Sequence, residues 1–337
     1  MRGSTDIRLT NTILGGLRDF ILAFIAFYGF CATAYIALHI LVGEQVSLVA
    51  TLNNFMPLLL LPAVPLVVLC FALGHFRFSL VLAPAILMLV ASYGSLLVPG
   101  HAHAAATGQP LTLLTYNLHG NWQPQGPAPV VGLIKQANAD VVTVQELSPN
   151  VAQDLEPLYP YHALHTNKDS LVVGQGVLSR YPIVEDEYWV MGLGMQRVVL
   201  DVNGTRVTVY NVHLRNPFVS GVTGARVDVS LREWALDDLL RRTANEKGPL
   251  ILAGDYNMTD LTNSYKRVNA LYHDTFREVG SWLGLTYPAD RGVVPPLARI
   301  DYVFHDDSVQ SIAAHVWATS GGSDHRPVWA QLTIPNP

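Results

Sequence analysis

The chain has 337 residues, of which 50% are hydrophobic and 14% charged, with a formal net charge of −5. That length allows one large domain with an appendage or two small ones, and the charge content is low for a wholly soluble protein. The acidic balance argues against a protein that grips long polyanions over its whole surface, because nucleic-acid binding needs a basic face.

The apolar excess is concentrated at the N-terminus. Before Gly108 the only Lys or Arg residues are Arg2, Arg8, Arg18 and Arg77, and the only acids are Asp6, Asp19 and Glu44. Three apolar runs, Phe20–Val42, Leu48–Leu73 and Phe78–Val98, contain no Asp, Glu, Lys or Arg, and each is long enough to cross a bilayer as a helix. Pro57, Pro62, Pro65 and Pro84 within them suit membrane helices better than soluble ones. Residues 1–98 are therefore expected to form a membrane region with three transmembrane helices. With three spans all four Arg residues fall on one side, which the positive-inside rule makes cytoplasmic. The rest of the chain would then lie outside the cytoplasm, at the cell's inner or plasma membrane. His39 and His75 read as interfacial residues, and residues 99–110, with His101 and His103, as a solvated linker. Both cysteines, Cys31 and Cys70, lie in the apolar third. The remainder can hold no disulfide, thiol zinc site or cysteine nucleophile.

From Leu111 to the C-terminus strand-like and helix-like pieces alternate. Strands are expected at Leu111–Tyr116, Asp140–Gln145, Leu171–Ser179, Arg197–Val202, Arg206–Val212, Leu250–Ala253, Ile300–Phe304 and Arg326–Thr333. Asn203-Gly204 marks a hairpin turn. Pro129–Ala137 has helical spacing, and Arg226–Asn245 carries apolar residues at Val227, Leu231, Trp234, Leu236, Leu239 and Leu240, the pattern of an amphipathic helix. The expected fold is α/β, with two packed mixed sheets flanked by helices.

Polar residues collect where these strands end: Asn117, Glu146, His213, Asp255, Asn257, Asp301, Asp324 and His325. Phosphate-ester hydrolysis needs an activated water, a cation to take up charge, and donors for the developing oxyanion. Hard oxygen ligands suit Mg²⁺ or Mn²⁺, and one or two carboxylates suffice because water and phosphate complete the shell. Glu146, at the tip of an apolar strand, is a candidate ligand. In the Gly254-Asp255-Tyr256-Asn257 turn one side chain could serve as base or water-orienter and the other could bond a phosphoryl oxygen. Asp324 and His325 stand side by side, and Asp301 could orient the imidazole.

Seven short segments occur in the order found in one family: T-Y-N-L-H (115–119), D-V-V-T-V-Q-E (140–146), G-V-L-S-R-Y-P-I (176–183), N-V-H-L (211–214), G-D-Y-N (254–257), R-I-D-Y-V-F (299–304) and S-D-H-R-P-V (323–328). On these the chain resembles the endonuclease/exonuclease/phosphatase, or DNase I-like, superfamily over Leu111 to Thr333, in a membrane-anchored form. The resemblance implies a four-layered α/β sandwich filling residues 111–337, with the site at one end of two facing sheets. It implies that Glu146 is the main ligand of Mg²⁺ (or Mn²⁺), with Asn117 and Asp324 near the metal. It makes Asp255 the water-activating acid, Asn257 the stabiliser of pentavalent phosphorus, and His325, paired with Asp301, the phosphate-contacting histidine. His213 resembles the second histidine of the sphingomyelinase and secreted-nuclease branches, a leaving-group acid. Some DNA-repair members carry an Asp where this chain has His119, so a metal contact is not expected there.

Substrate selection is expected in the stretches 211–229 and 260–299. Arg215 and Tyr265 from these stretches, with Arg180, are the candidate substrate-binding residues. The expected activity is hydrolysis of a phosphodiester or phosphomonoester, preferably of a lipid or envelope-associated phosphate. The alternatives are an extracytoplasmic nuclease and a non-catalytic membrane protein that binds a phosphorylated ligand.

Overall fold

The structure is a computed structural model and describes residues 2–97, 107–120, 126–166, 174–221, 224–289, 292 and 295–337. It divides into two compact units, residues 1–94 and 95–337. His101, His103 and Arg291 lie outside the described residues.

The first unit is helical: α1 (Arg2–Leu41), α2 (Ser47–Asn53), α3 (Met56–Leu60), α4 (Ala63–Ala72), a 3-10 stretch (Phe76–Leu82) and α5 (Ala83–Leu97). Thr12–Leu41 and Phe76–Leu97 are each long and apolar enough to cross a membrane. The middle run departs from expectation. It is broken, and Ser47–Asn53 meets Met56–Ala72 at 85°, so among the described residues there are two helices long and apolar enough to cross, or three if the bent pair is one span. The break has a cause in the sequence. Pro57, Pro62 and Pro65 remove backbone donors. At the bend the Asn54 side chain donates to Ala50 O (2.7 Å), competing with the backbone ladder. Tyr35 Oη donates to Asn53 Oδ1 (2.8 Å), and His39 Nδ1 lies 2.9 Å from the same oxygen. His39 thus has a partner inside the unit. The outside of α1 is apolar, with Phe20, Phe24, Phe27 and Phe30 exposed.

The second unit carries two six-stranded sheets. The elements run β1 (Gln109–Asn117), α6 (Ala128–Ala137), β2 (Val141–Leu147), α7 (Pro149–Leu155), β3 (Tyr161–His165), β4 (Gly174–Ser179), β5 (Ile183–Met191), β6 (Leu193–Val202) and β7 (Thr205–His213). After a small hairpin of β8 (Phe218–Gly221) and β9 (Gly224–Val227) come α8 (Ser230–Thr243), β10 (Leu250–Asp255), α9 (Asn263–Asn269), β11 (His273–Asp274), α10 (Thr275–Val279), β12 (Asp301–His305), β13 (Gln310–Val316) and β14 (Val328–Ile334). One sheet has the order β13-β14-β1-β2-β4-β3 and the other β11-β12-β10-β7-β6-β5. Each is antiparallel except for one parallel pair, β1 with β2 and β10 with β7.

Residue alternation along the strands builds the layers. Leu111, Leu113, Val141 and Val177 of the first sheet meet Val207, Val209, Ile251 and Val303 of the second in a shared core. The opposite faces carry Leu114, Tyr116, Val142 and Val144, which pack under α6 and α7, and Tyr210, Leu252, Tyr302 and Phe304, which pack under α8 and α9. Helix, sheet, sheet, helix is the expected sandwich.

Part of the stretch 260–299, where substrate selection was expected, is tied to the core. The buried Arg299 guanidinium donates to both carboxylate oxygens of Asp274 (3.0 and 2.7 Å) and lies over the Tyr302 ring (4.5 Å). Asp274 also caps α10 by accepting from Phe276 N and Arg277 N. Tyr265 is buried here, packed against Tyr302 and Phe304, with its hydroxyl on Asp274 Oδ2 (2.7 Å). Its assignment to substrate binding is therefore corrected: it is a core residue. Breaking one partner of a buried ion pair leaves an uncompensated charge. Arg299→Met is expected to cost about 3–5 kcal/mol in urea unfolding followed by tryptophan fluorescence. All six tryptophans lie beyond residue 121, so the signal reports this unit. A loss under about 1 kcal/mol would contradict the assignment.

Candidate active site

The strand pairing puts polar residues at one level. Asp255 is directly opposite His213 on β7 and Asp301 on β12, and Asn117 is opposite Gln145 on β2. Glu146 leaves the ladder at a bulge in the β2–β4 pairing, where its φ is +53°. A bulge of this kind re-aims a side chain. Two glycines permit the close packing: a Cβ at Gly254 would lie 1.9 Å from Val212 O, and one at Gly120 would lie 1.8 Å from Glu146 O.

Asp255 is the hub. Its carboxylate accepts from Asn117 Nδ2 (3.0 Å), Asn257 N (2.8 Å) and Asn257 Nδ2 (3.1 Å). Asn117 Nδ2 also lies 3.3 Å from Glu146 Oε1. His213 Nε2 stands 3.8 Å from both Glu146 Oε1 and Asp255 Oδ2, and His325 Nε2 stands 3.8 Å from Asp255 Oδ2 and 3.9 Å from Asp324 Oδ1. These are too long for hydrogen bonds and leave room between the groups. His325 Nδ1 donates to Asp301 (3.0 and 3.1 Å). All eight strand-end residues singled out from the sequence thus meet in one cluster.

Supporting residues that sequence reasoning missed surround it. Ser323 Oγ donates to Asn117 O (2.7 Å) and accepts from His325 N (3.0 Å), clipping the Asp324-His325 turn to β1. Buried Arg232 of α8 donates to Asn257 O (2.7 Å). Below the site Asn211 donates to Val144 O (3.0 Å) and Gly176 O (2.9 Å) and accepts from Gln145 (2.7 Å), which joins the two sheets. The Tyr287 ring lies 4.9 Å from that of His325. Asn211 and Ser323 sit inside quoted motifs, so a signal for them existed. Tyr287 lies in the stretch 260–299 where substrate selection was expected, and Arg232 had no signal.

Three expectations change. Arg180 bonds Asp140 and Asn138, and its backbone N–H reaches Asp140 O, at the end of β2 opposite Glu146. At about 3.3 Å per residue it lies well away from the cluster, so it is corrected to a structural residue. Asn117 turns its amide nitrogen, not its oxygen, to Glu146 and Asp255, while its Oδ1 accepts from His119 N (3.0 Å). It braces the carboxylates. Asn257 Nδ2 is engaged in the same way, by Asp255 and Leu214 O (2.9 Å). Arg215, the next residue, is exposed.

The electrostatics follow from burial and neighbours. Burial opposes a charge on His325, but Asp301 and Asp255 outweigh it and push its pKa up to about 10. Burial pushes Asp255 up to about 8, with His325 opposing and Asp301 adding to the rise. Burial lowers the pKa of His213 against the pull of Glu146, which leaves that imidazole neutral. Glu146 and Asp324 are the two carboxylates of the cluster that reach solvent, at 24% and 17% side-chain exposure. Four acids crowd around two histidines, and one buried acid is held toward its neutral form. That excess of negative charge, with two solvent-facing carboxylates, fits a divalent cation that keeps part of its shell for water and phosphate. Asp301→Asn should lower the His325 pKa by roughly 1–3 pH units, because the opposite charge that favours the imidazolium is gone. NMR titration of the imidazole in chelator would read it, and an unchanged pKa would show that Asp301 does not set this charge.

A model of the Endonuclease/Exonuclease/phosphatase family matches residues 114–325. No curated protein sequence matches the chain. Among solved structures, an endonuclease/exonuclease/phosphatase from Beutenbergia cavernae is similar at 21% identity and a TM-score of 0.53, over 68% of this chain and 72% of that one. D. rerio TDP2 complexed with single-strand DNA product is similar at 18% identity and a TM-score of 0.54, over 67% of this chain and all (100%) of that one. A mannosyl-6-phosphatase from Bacteroides thetaiotaomicron is similar at 16% identity and a TM-score of 0.54, over 66% and 100%. At these identities the likeness is one of fold.

Proposed function

The chain belongs to the endonuclease/exonuclease/phosphatase family, and from that premise we propose that it is a membrane-anchored, divalent-metal-dependent phosphoesterase acting on a lipid or envelope-associated phosphate. The observation that carries the reading is the gathering of seven side chains from both sheets around Asp255.

Glu146 and Asp324 would hold Mg²⁺ or Mn²⁺, which supplies Lewis-acid stabilisation of charge on the phosphoryl oxygens. Asp255, fixed by Asn117 and Asn257 and made a stronger base in its ionised form by the rise in its pKa, takes the proton of a water as the water's oxygen bonds phosphorus. The phosphorus–oxygen bond to the leaving group breaks, that oxygen takes a proton from solvent, and Asp255 returns its proton to solvent. His325, charged and oriented by Asp301, directs Nε2–H at the phosphoryl group and counters the charge that builds there. His213 is neutral in this setting, so it orients the reacting groups as a hydrogen-bond donor rather than acting as a strong acid.

The apolar exterior of α1 and the two long apolar helices support a membrane anchor. If the bent pair crosses as one span, Arg77 falls on the same side as Arg18; if it re-enters, the two are separated. The first arrangement satisfies the positive-inside rule and places residues 107–337 outside the cytoplasm. TDP2 and the mannosyl-6-phosphatase share the fold with different substrates, so fold does not select the substrate here. The anchor and the acidic balance favour a lipid-linked phosphoester over nucleic acid.

Three outcomes are expected. With Mg²⁺ or Mn²⁺ the chain should release headgroup or phosphate from lipid vesicles, lose this activity in chelator, and leave plasmid DNA intact. Cleavage of DNA with none of lipid would reverse the substrate ranking. Glu146→Gln should lower kcat about 10³-fold, roughly 4 kcal/mol, with an unchanged melting temperature. Wild-type turnover in that variant would remove Glu146 from the site. Protease should reach the catalytic unit only from the outer face of sealed right-side-out vesicles. Digestion only in inverted vesicles would place it in the cytoplasm.

A further inference from the structure

The turn that follows α10 holds an indole out in solvent. Gly280 and Gly284 both pack on Phe276: a Cβ at Gly280 would lie 2.5 Å from Phe276 O, and one at Gly284 2.5 Å from the Phe276 ring. Trp282 between them has a φ of +64° and is 62% exposed. A left-handed conformation costs a bulky residue free energy, and burial of the ring does not offset it here. The Trp282 N–H donates to Leu96 O (2.8 Å). Leu96 belongs to the same compact unit, residues 95–337, and lies in the last turn of α5, where the apolar stretch Phe76–Leu97 ends. The last carbonyls of a helix have no partner within it, and this bond satisfies one of them. Trp282 also lines a groove of about 410 Å³, walled by Phe276, Leu285, Pro295, Pro296 and Val316, a volume in the range of small-molecule sites. The residue of fixed charge in the lining is Arg326. Its backbone N–H donates to Thr286 O (3.0 Å), and no side chain among the described residues bonds its guanidinium. His315, also in the lining, packs on Trp329 (4.9 Å between rings), and burial holds its pKa below the ordinary value, so it brings no charge at neutral pH.

We infer that this groove binds an anionic phospholipid of the bilayer in which the chain is anchored, with an acyl chain on the apolar walls and the phosphate on Arg326. The inference rests on the membrane-anchored half of the reading above. Three physical points lead to it. Apolar walls with a single guanidinium match an amphiphile of one negative charge: a neutral lipid would leave Arg326 unpaired, and free phosphate would leave the walls bare. The bond to Leu96 sets Trp282 beside the end of an apolar helix, at the depth where lipid headgroups lie. Tryptophan is enriched at that depth because its ring is apolar and its N–H is polar, which accounts for an indole kept exposed on a turn that only glycines on either side permit.

The test uses the full chain reconstituted in phosphatidylcholine vesicles that hold a minor fraction of acyl-brominated lipid, either phosphatidylglycerol or phosphatidylcholine. Bromine quenches the fluorescence of an indole it touches, and the emission that Trp282→Phe lacks is the Trp282 signal. Brominated phosphatidylglycerol should quench that signal about fivefold more effectively than the same fraction of brominated phosphatidylcholine, the preference that one Arg gives for anionic lipid. Arg326→Gln should bring the two lipids level, and Arg326→Lys should keep the difference. Equal quenching by both lipids in wild type, or a preference that survives in Arg326→Gln, would overturn the inference, because the indole would then lie in the interface without an anionic lipid in the groove. Alkaline carbonate extraction of membranes separates the two levels. A chain that washes off fails the anchor reading and the inference with it; a chain that stays in the membrane with Trp282 unquenched fails only the groove.

Discussion

The hydrogen bond from Asn117 to Asp255 ties the end of one sheet to the end of the other, and the site depends on that tie. Asn117 closes β1 and Asp255 closes β10, so the bond crosses the interface between the two layers. A buried carboxylate requires partners, and here the partners are the amides that define the site. Beneath it Asn211, Gln145 and Gln175 form a second cross-link, with Asn211 donating to carbonyls of the opposite sheet. Apolar packing alone would let the sheets slide by fractions of an ångström. Directional bonds at two levels fix the registry of their ends, and the catalytic side chains inherit that registry.

The parts of the fold legible in the sequence share a physical property. The eight strands expected from apolar pattern correspond to β1, β2, β4, β6, β7, β10, β12 and β14, which are the interior strands of the two sheets. Of the six missed, β3, β5, β11 and β13 are the edges, and β8 and β9 form the separate hairpin, where β9 takes Arg226 and Val227 from the start of the expected helix. Interior strands are covered on both faces and read as apolar runs ending in a polar residue. Edge strands keep one side in water: β5 carries Glu185, Asp186 and Glu187, all exposed, and has no apolar alternation to detect. Charge on an edge also protects it from pairing with other chains. Because the site is built on the ends of interior strands, its residues were legible for the same reason as the strands.

What was not legible depended on which way a side chain turns. Tyr265 and Arg180 are polar residues near motif segments, and the sequence holds no sign that one packs on Tyr302 and the other bonds Asp140 at the far end of β2. His119 was set aside on type and is placed against Asp324 by the shape of its turn. The middle apolar run looked like one helix by length, and its prolines and Asn54 break it. In each case tertiary contacts decided among conformations that local composition left open.

The central claim is that side chains from both sheets gather around one divalent cation, and anomalous diffraction from crystals grown with Mn²⁺ tests it most directly. The account predicts one strong peak within coordination distance of Glu146 and Asp324, beside Asp255. A fully bound crystal whose only peak lay elsewhere, or that showed none at this cluster, would contradict it.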